Sequence, residues 1–262
     1  MARRDSPLYT LGFAAAVCTV CGLFVAGAAV GLRADQDHNK RIDMQKNVLL
    51  AAGIITPDDD VSPEKVATVF KKKVTATVVT LASGAVAPEV DPSSFDQRRA
   101  TADPATSIAA PKNDAKVARI PKQGVVFRVQ TRDKGALVVI PVEGKGLWST
   151  LYGFLALDAD EPSVIRGIAF YEHGETPGLG GEIENPKWQA LWNGREAFDD
   201  HFNPVITVIK GRAGSPEADP REVDGLSGAT MTSNGVTHLV QFWLGDLGYG
   251  PYLKRLAGKG GA

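Results

Sequence analysis

Apolar and polar positions divide the chain into three regimes. From Leu8 to Leu32 the residues are mostly Leu, Ala, Val, Phe and Gly, and no charge occurs between Asp5 and Arg33. At about 1.5 Å of helical rise per residue, this run is long enough for a hydrocarbon core of roughly 30 Å. A soluble core helix is rarely apolar on every side for so long. The run therefore predicts a retained transmembrane helix. A cleaved signal peptide is the alternative, with Ala26-Gly27-Ala28-Ala29 as its small-residue patch. Beyond the run, Gln36–Gly53 mixes apolar Ile42, Val48, Leu49 and Leu50 with polar residues and reads as a helix ended by Gly53. Ser62-Pro63-Glu64 is a helix start, with an N-cap, a proline in the first position and an acid in the first turn. Its apolar face is Val66, Val69 and Phe70, and Lys71-Lys72-Lys73 closes it where cations favour the helix dipole.

Val74–Leu81 is rich in Val and Thr and predicts a strand. Ser83–Ala118 is poor in large apolar residues and predicts a long surface loop. The remainder is denser. Strand-like runs are Gly124–Val129, Gly135–Pro141, Leu151–Leu157, Ser163–Tyr171 and Pro204–Ile209. Asn185-Pro186 opens a short helix. Val236, Leu239, Val240 and Trp243 recur at helical spacing in a last helix, for which Ser233 is the expected cap. Successive strands with helices between and after them predict an α+β domain around a twisted, largely antiparallel sheet. The expected divisions are residues 1–34 (N-terminus and span), 35–120 (membrane-proximal helices, strand and loop) and 121–262 (the functional domain).

Charge adds little. Lys and Arg total 29 against 30 Asp and Glu in 262 residues, without the basic excess of a nucleic-acid protein. Arg3 and Arg4 precede the span, but Arg33, Lys40, Arg41 and Lys46 follow it, so positive charge does not orient it. The two cysteines, Cys18 and Cys21, lie one turn apart inside the span. The rest of the chain has no disulfide framework and no thiolate metal site. No metal ligands and no catalytic acid–base set stand out, and no G-x-G-x-x-G follows a strand, so a dinucleotide-binding site is not expected.

The informative segment is Asp224-Gly225-Leu226-Ser227-Gly228-Ala229-Thr230-Met231-Thr232. It is a small-residue loop directly before a helix. Glycine permits close approach of a ligand, and free N–H groups at a helix start hold anions. Taken bare, the pattern also fits a simple Gly-rich turn. Its context resembles the FMN-binding domain family, whose attachment motif is D-x-x-[ST]-G-A-[ST]; every position is met here. The resemblance implies that Thr230 carries FMN through a phosphoester bond, with Asp224, Ser227, Gly228 and Ala229 as motif positions. It also implies a magnesium-dependent flavin transferase as a maturation partner. Glu175-Thr176-Pro177-Gly178-Leu179-Gly180 is similar to a loop that lies beside the flavin in that family. Thr176 and Leu179 are then candidates to pack on the ring, while Glu175 and Gly180 shape the loop. Trp148 and Tyr152, in and after Gly144-Lys145-Gly146-Leu147-Trp148-Ser149, are further candidate neighbours, and Lys210 a weaker one. His173 reads as structural.

Together with the span and Asn185-Pro186-Lys187-Trp188, these motifs resemble the C subunits of sodium-translocating NADH:quinone oxidoreductases, across nearly the whole chain. The G subunit of the Rnf complex shares the anchor and the motif but lacks much of the N-terminal half. The resemblance implies an electron-transfer subunit on the periplasmic side of a bacterial inner membrane. Its partners would be membrane lipid and the other members of a complex of six subunits. The rival readings are a flavinylated domain of an extracytoplasmic reductase and an anchored protein without flavin.

Overall fold

The computed structural model describes residues 6–57, 59, 61–131 and 135–258. Arg3 and Arg4 lie outside the described residues. The chain forms two units, one ending at Met44 and the other beginning at Gln45.

The first unit is helical. α1 (Pro7–Gly31) starts with proline in its first position, and every one of its side chains is exposed. Among the described residues it is the helix long and apolar enough to cross a membrane. It fits a transmembrane helix, because an apolar surface of that length needs a nonpolar surrounding. α2 (Arg33–Ala51) begins in this unit and ends in the second. Gly53, at φ 64°, ends it: its N–H donates to the Leu50 carbonyl at 2.9 Å and that of Ile54 to the Leu49 carbonyl at 2.9 Å. This is a Schellman closure, which needs a left-handed residue and so favours glycine.

The second unit is built on a six-stranded, wholly antiparallel sheet in the order β2-β1-β5-β6-β7-β8. The strands are β1 (Val74–Thr80), β2 (Ala85–Val86), β5 (Gln123–Gln130), β6 (Ala136–Lys145), β7 (Thr150–Asp158) and β8 (Ile165–Glu172). Two strands of this sheet come from before residue 121 and four from after it. α3 (Pro63–Lys73) leads into β1; Ser62 Oγ accepts from the Lys65 N–H, as its cap position predicts. Phe70 of α3 meets Phe127, which meets Phe154, so one face carries a series of aromatic rings 6.0 Å apart. The short helix α5 (Pro186–Gln189) follows β8 in the chain, and the other face is covered by α6 (Thr230–Leu244), whose Val236, Leu239, Val240 and Trp243 are fully buried with Ile140, Val142, Leu151 and Leu155.

The expected loop at 83–118 is instead an ordered excursion holding β2, α4 (Gln97–Ala102), β3 (Ser107–Ala109) and, just beyond, β4 (Arg119–Pro121), which pairs with β3. Polar contacts rather than apolar periodicity hold it. Asp96 caps α4 on the Arg99 N–H at 3.1 Å, and Asn113 closes a turn on the Val117 N–H at 3.0 Å. Gln97 Oε1 accepts from the Val125 N–H at 2.9 Å and from the Tyr249 hydroxyl at 2.8 Å. The Pro204–Ile209 run is strand only at β9 (Thr207–Val208), which pairs in parallel with β10 (Glu222–Val223). The N–H groups of Val205 and Ile206 both turn to the Ala197 carbonyl, which keeps the earlier residues out of that ladder.

Candidate functional site

The helix carrying Thr230 starts one turn earlier than its apolar spacing suggests. Thr230 is the first residue of α6, and its N-cap, Ala229, makes no side-chain capping bond. Ser233 is therefore not the cap. It lies inside the first turn, its backbone N–H bonded to the Ala229 carbonyl, and its hydroxyl accepts from the Leu226 N–H at 3.1 Å. That bond ties the preceding loop to the helix. The loop is a tight turn, Leu226–Ala229, closed by the Ala229 N–H on the Leu226 carbonyl at 3.1 Å. Gly228 takes its third position at φ 71°, where a side chain is strained. Leu226 and Ala229 point inward and are buried, while Ser227, Gly228 and Thr230 face out. The Thr230 hydroxyl thus stands on the first position of an uncapped helix. Such a start presents free N–H groups and the positive end of the helix dipole.

Asp224 does not face this point. Its carboxylate accepts from the Ala213 N–H at 2.9 Å, and its carbonyl from Trp188 Nε1 at 2.8 Å. The acid of the motif and the tryptophan of Asn185-Pro186-Lys187-Trp188 are thus one scaffold beneath the loop. Gly225 bonds to the Gly211 carbonyl at 2.8 Å, which brings exposed Lys210 to the neighbouring strand end.

Gly146–Ser149 is the hairpin turn between β6 and β7, closed by the Gly146 N–H on the Ser149 carbonyl at 2.8 Å. Glu175, only 4% exposed, joins this turn to α6. Its carboxylate accepts from the backbone N–H groups of Leu147 at 3.2 Å, Trp148 at 2.9 Å and Ser149 at 3.2 Å. It also accepts from the Thr232 hydroxyl at 2.6 Å. Burial alone would push this carboxyl up, but the Thr232 hydroxyl and the three N–H donors outweigh it and hold it below the usual carboxylate range. Glycines allow the approach. A Cβ on Gly180 would lie 2.5 Å from Thr232 Oγ1, and one on Gly146 2.6 Å from Glu175 Oε1. Leu179 meets the turn before α6, where a Cβ on Gly228 would lie 3.0 Å from Leu179 Cδ2.

The segments gathered at Glu175 leave large apolar side chains uncovered: Trp148 at 66%, Met231 at 61%, Leu147 at 45% and Leu179 at 43% exposure. Exposed apolar residues grouped around convergent polar groups mark a binding surface. The site can hold an anion at the helix start and a flat apolar group beside it.

Residues 146–245 match the family described as FMN-binding domain. Over 262 aligned residues the chain is 43% identical to NqrC of Vibrio vulnificus, the C subunit of a Na(+)-translocating NADH-quinone reductase, covering 99% of both chains. The chain belongs to the NqrC family. The NqrC of Yersinia pestis is 44% identical over 256 residues, covering 97% of this chain and 94% of its own. Among solved structures, that of Shewanella oneidensis NqrC is similar with a TM-score of 0.75 and 36% identity, covering 84% of this chain and 99% of that one. The corresponding protein of Parabacteroides distasonis follows at 0.65 and 27%, covering 85% and 96%.

Within this NqrC fold, most of the sequence candidates converge. Trp148, Glu175, Leu179, Gly180, Gly228 and Thr230 belong to the three segments joined through Glu175. Thr176 lies exposed in the same loop, its carbonyl accepting from the Leu179 and Gly181 N–H groups. Tyr152 is placed elsewhere. Side chains alternate along β7; Leu151 and Leu155 join the core under α6, so Tyr152 turns to the opposite face. There it lies 6.5 Å from Tyr171, and the Arg98 guanidinium stacks 3.8 Å from its ring centre. Arg98 in turn forms a two-pronged pair with Glu172 at 2.6 and 3.0 Å. His173 is structural in its contacts: Nδ1 accepts from the Glu175 N–H at 3.1 Å, and Nε2 lies 3.1 Å from Glu184. Sequence reasoning missed Thr232, Leu147 and Met231. Only the adjacency of Met231 and Thr232 to Thr230 could have drawn attention to them.

Proposed function

We propose that this chain is the electron-transfer flavoprotein subunit of a membrane Na(+)-translocating NADH-quinone reductase, and that its FMN is joined through the phosphate to the Thr230 hydroxyl. The observation that carries the attachment reading is the position of that hydroxyl. It is exposed, it begins an uncapped helix, and it adjoins the turn in which Gly228 leaves room for a ligand. Family membership and the match of residues 146–245 to the FMN-binding domain support the cofactor.

FMN, when bound, supplies reversible electron transfer at its ring system. The chain's own residues hold and orient it. The first-turn N–H groups of α6 would face the phosphate, whose remaining charge the helix dipole favours. Leu179 and Trp148 would flank the ring, with Thr176 at its edge, while Asp224 and Trp188 keep the loop in place from below. A covalent tether prevents loss of the cofactor in a compartment with little free FMN. α1 would anchor the chain among the other subunits and the lipid, with the FMN-carrying unit on the periplasmic side. A separate flavin transferase would install the cofactor.

The test is in-gel fluorescence of the denatured full chain after co-expression with a flavin transferase. The wild type should give a fluorescent band and Thr230→Ala a dark one. A dark wild-type band, or a Thr230→Ala band as bright as wild type, would sink the attachment reading.

A further inference from the structure

We infer that Glu175 is a positioning residue for flavin attachment, presenting the Thr230 hydroxyl through Thr232 and holding the Trp148 turn over the same point. The inference rests on the attachment reading above and adds what makes Thr230 competent.

Four donors converge on one buried carboxylate. Three are consecutive N–H groups of the β6–β7 turn, and the fourth is the Thr232 hydroxyl, 57 residues away along the chain. Consecutive N–H groups around one anion form a nest, which fixes the turn's backbone as well as neutralising the charge. Thr232 is 1% exposed and two residues beyond Thr230. Anchoring its hydroxyl fixes the rotation of the helix's first turn about its own axis. Ala229, the N-cap, has no side chain that could cap that turn, so this anchor does the orienting that a capping side chain would otherwise do. Residues two apart on a helix point to roughly opposite sides. With Thr232 drawn inward onto Glu175, Thr230 is directed outward, as observed.

The arrangement depends on charge and not only on shape. A Gln at position 175 has the same size but one acceptor oxygen, and its amide would confront either the N–H of Leu147 or the N–H pair of Trp148 and Ser149. Thr232 offers a cleaner probe, because Val fills the same volume without the hydroxyl and Ser restores the hydroxyl without the methyl.

The experiment measures the initial rate of flavin incorporation into the full chain by a flavin transferase, read as covalent fluorescence, with far-UV circular dichroism and melting temperature on the same samples. Thr232→Val and Glu175→Gln should slow incorporation about tenfold, the scale of one lost charge-assisted hydrogen bond, while keeping the native spectrum. Thr232→Ser should incorporate at the wild-type rate. Equal rates for Thr232→Val and wild type would overturn the inference. So would a slow Thr232→Ser, which would point to packing by the methyl group. A bright wild type with unaffected variants removes this inference alone, whereas a dark wild type removes the attachment reading beneath it.

Discussion

Gly235 offers a quantitative test of how tightly α6, the helix that Thr230 begins, is seated. It lies in the second turn of α6, where alanine ordinarily gains about 0.8–1 kcal/mol over glycine. Here a Cβ would stand 2.5 Å from the Lys145 carbonyl oxygen and 3.1 Å from Gly146 Cα. Restoring ordinary contact requires a separation of about 1 Å between α6 and the end of β6. Both obstructing atoms are backbone. That backbone is held by the Lys145 N–H on the Ala115 carbonyl and the Gly146 N–H on the Ser149 carbonyl, each at 2.8 Å. The strand cannot yield cheaply, so overpacking belongs at the upper end of its ~1–3 kcal/mol range. Steric strain therefore exceeds the helical gain, leaving Gly235→Ala about 1–2 kcal/mol less stable. For a unit of this size that lowers Tm by roughly 2–8 °C. Thermal unfolding of the full chain in detergent, followed by circular dichroism, measures it. Asn234→Ala, at the exposed neighbouring position, is the control, because it changes helix propensity without a steric cost. Gly235→Ala should also slow flavin incorporation, since the same separation pulls Thr232 from Glu175. A Gly235→Ala Tm equal to or above wild type, in step with Asn234→Ala, would refute the close packing of α6 on β6.

Three further outcomes follow from the same geometry. Glu175 is held below the usual carboxylate range, so its contribution to stability is fully present above the ordinary glutamate pKa and is lost as pH falls through the lowered folded value; Tm measured between about pH 6 and pH 3 should fall less steeply in Glu175→Gln than in wild type, and parallel curves would contradict the ionised network. Tyr249→Phe removes a buried hydroxyl lying 2.8 Å from Gln97 Oε1 and 3.0 Å from the Val125 carbonyl; it should cost about 1–2 kcal/mol and speed hydrogen exchange in Gln97–Ala102, an effect absent if α4 were held otherwise. Trp148→Ala should leave stability within about 0.5 kcal/mol, as surface changes do, yet shift the absorption spectrum of the bound flavin; an unchanged spectrum would place the indole away from the ring.

Much of this architecture is written in local patterns. Short, nearly continuous apolar runs mark β5 to β8, and Ser62-Pro63 and Asn185-Pro186 mark helix starts because capping is a matter of adjacent residues. The Ser83–Ala118 excursion is illegible for the opposite reason. Its order comes from single polar side chains such as Asp96, Gln97 and Asn113, whose partners leave no period in the sequence. The start of α6 is hard to read because Gly228-Ala229 gives no clear boundary, while Ser233 is a good capping residue put to another use. Motifs identify Thr230, Glu175 and Leu179 as candidates, but nothing in them says that one carboxylate reaches 27 residues back to Trp148 and 57 forward to Thr232. The position of Tyr152 is open to strand alternation, since its neighbour Leu151 belongs to the core face.

The proposed function depends above all on one bond. Peptide mass spectrometry of the full chain, purified after co-expression with a flavin transferase, tests it directly. The predicted result is a fragment containing Thr230 heavier by FMN less one water, with fragmentation placing the added mass on Thr230. An unmodified peptide from fully folded protein, or added mass on Ser227, Thr232 or Ser233 instead, would contradict it.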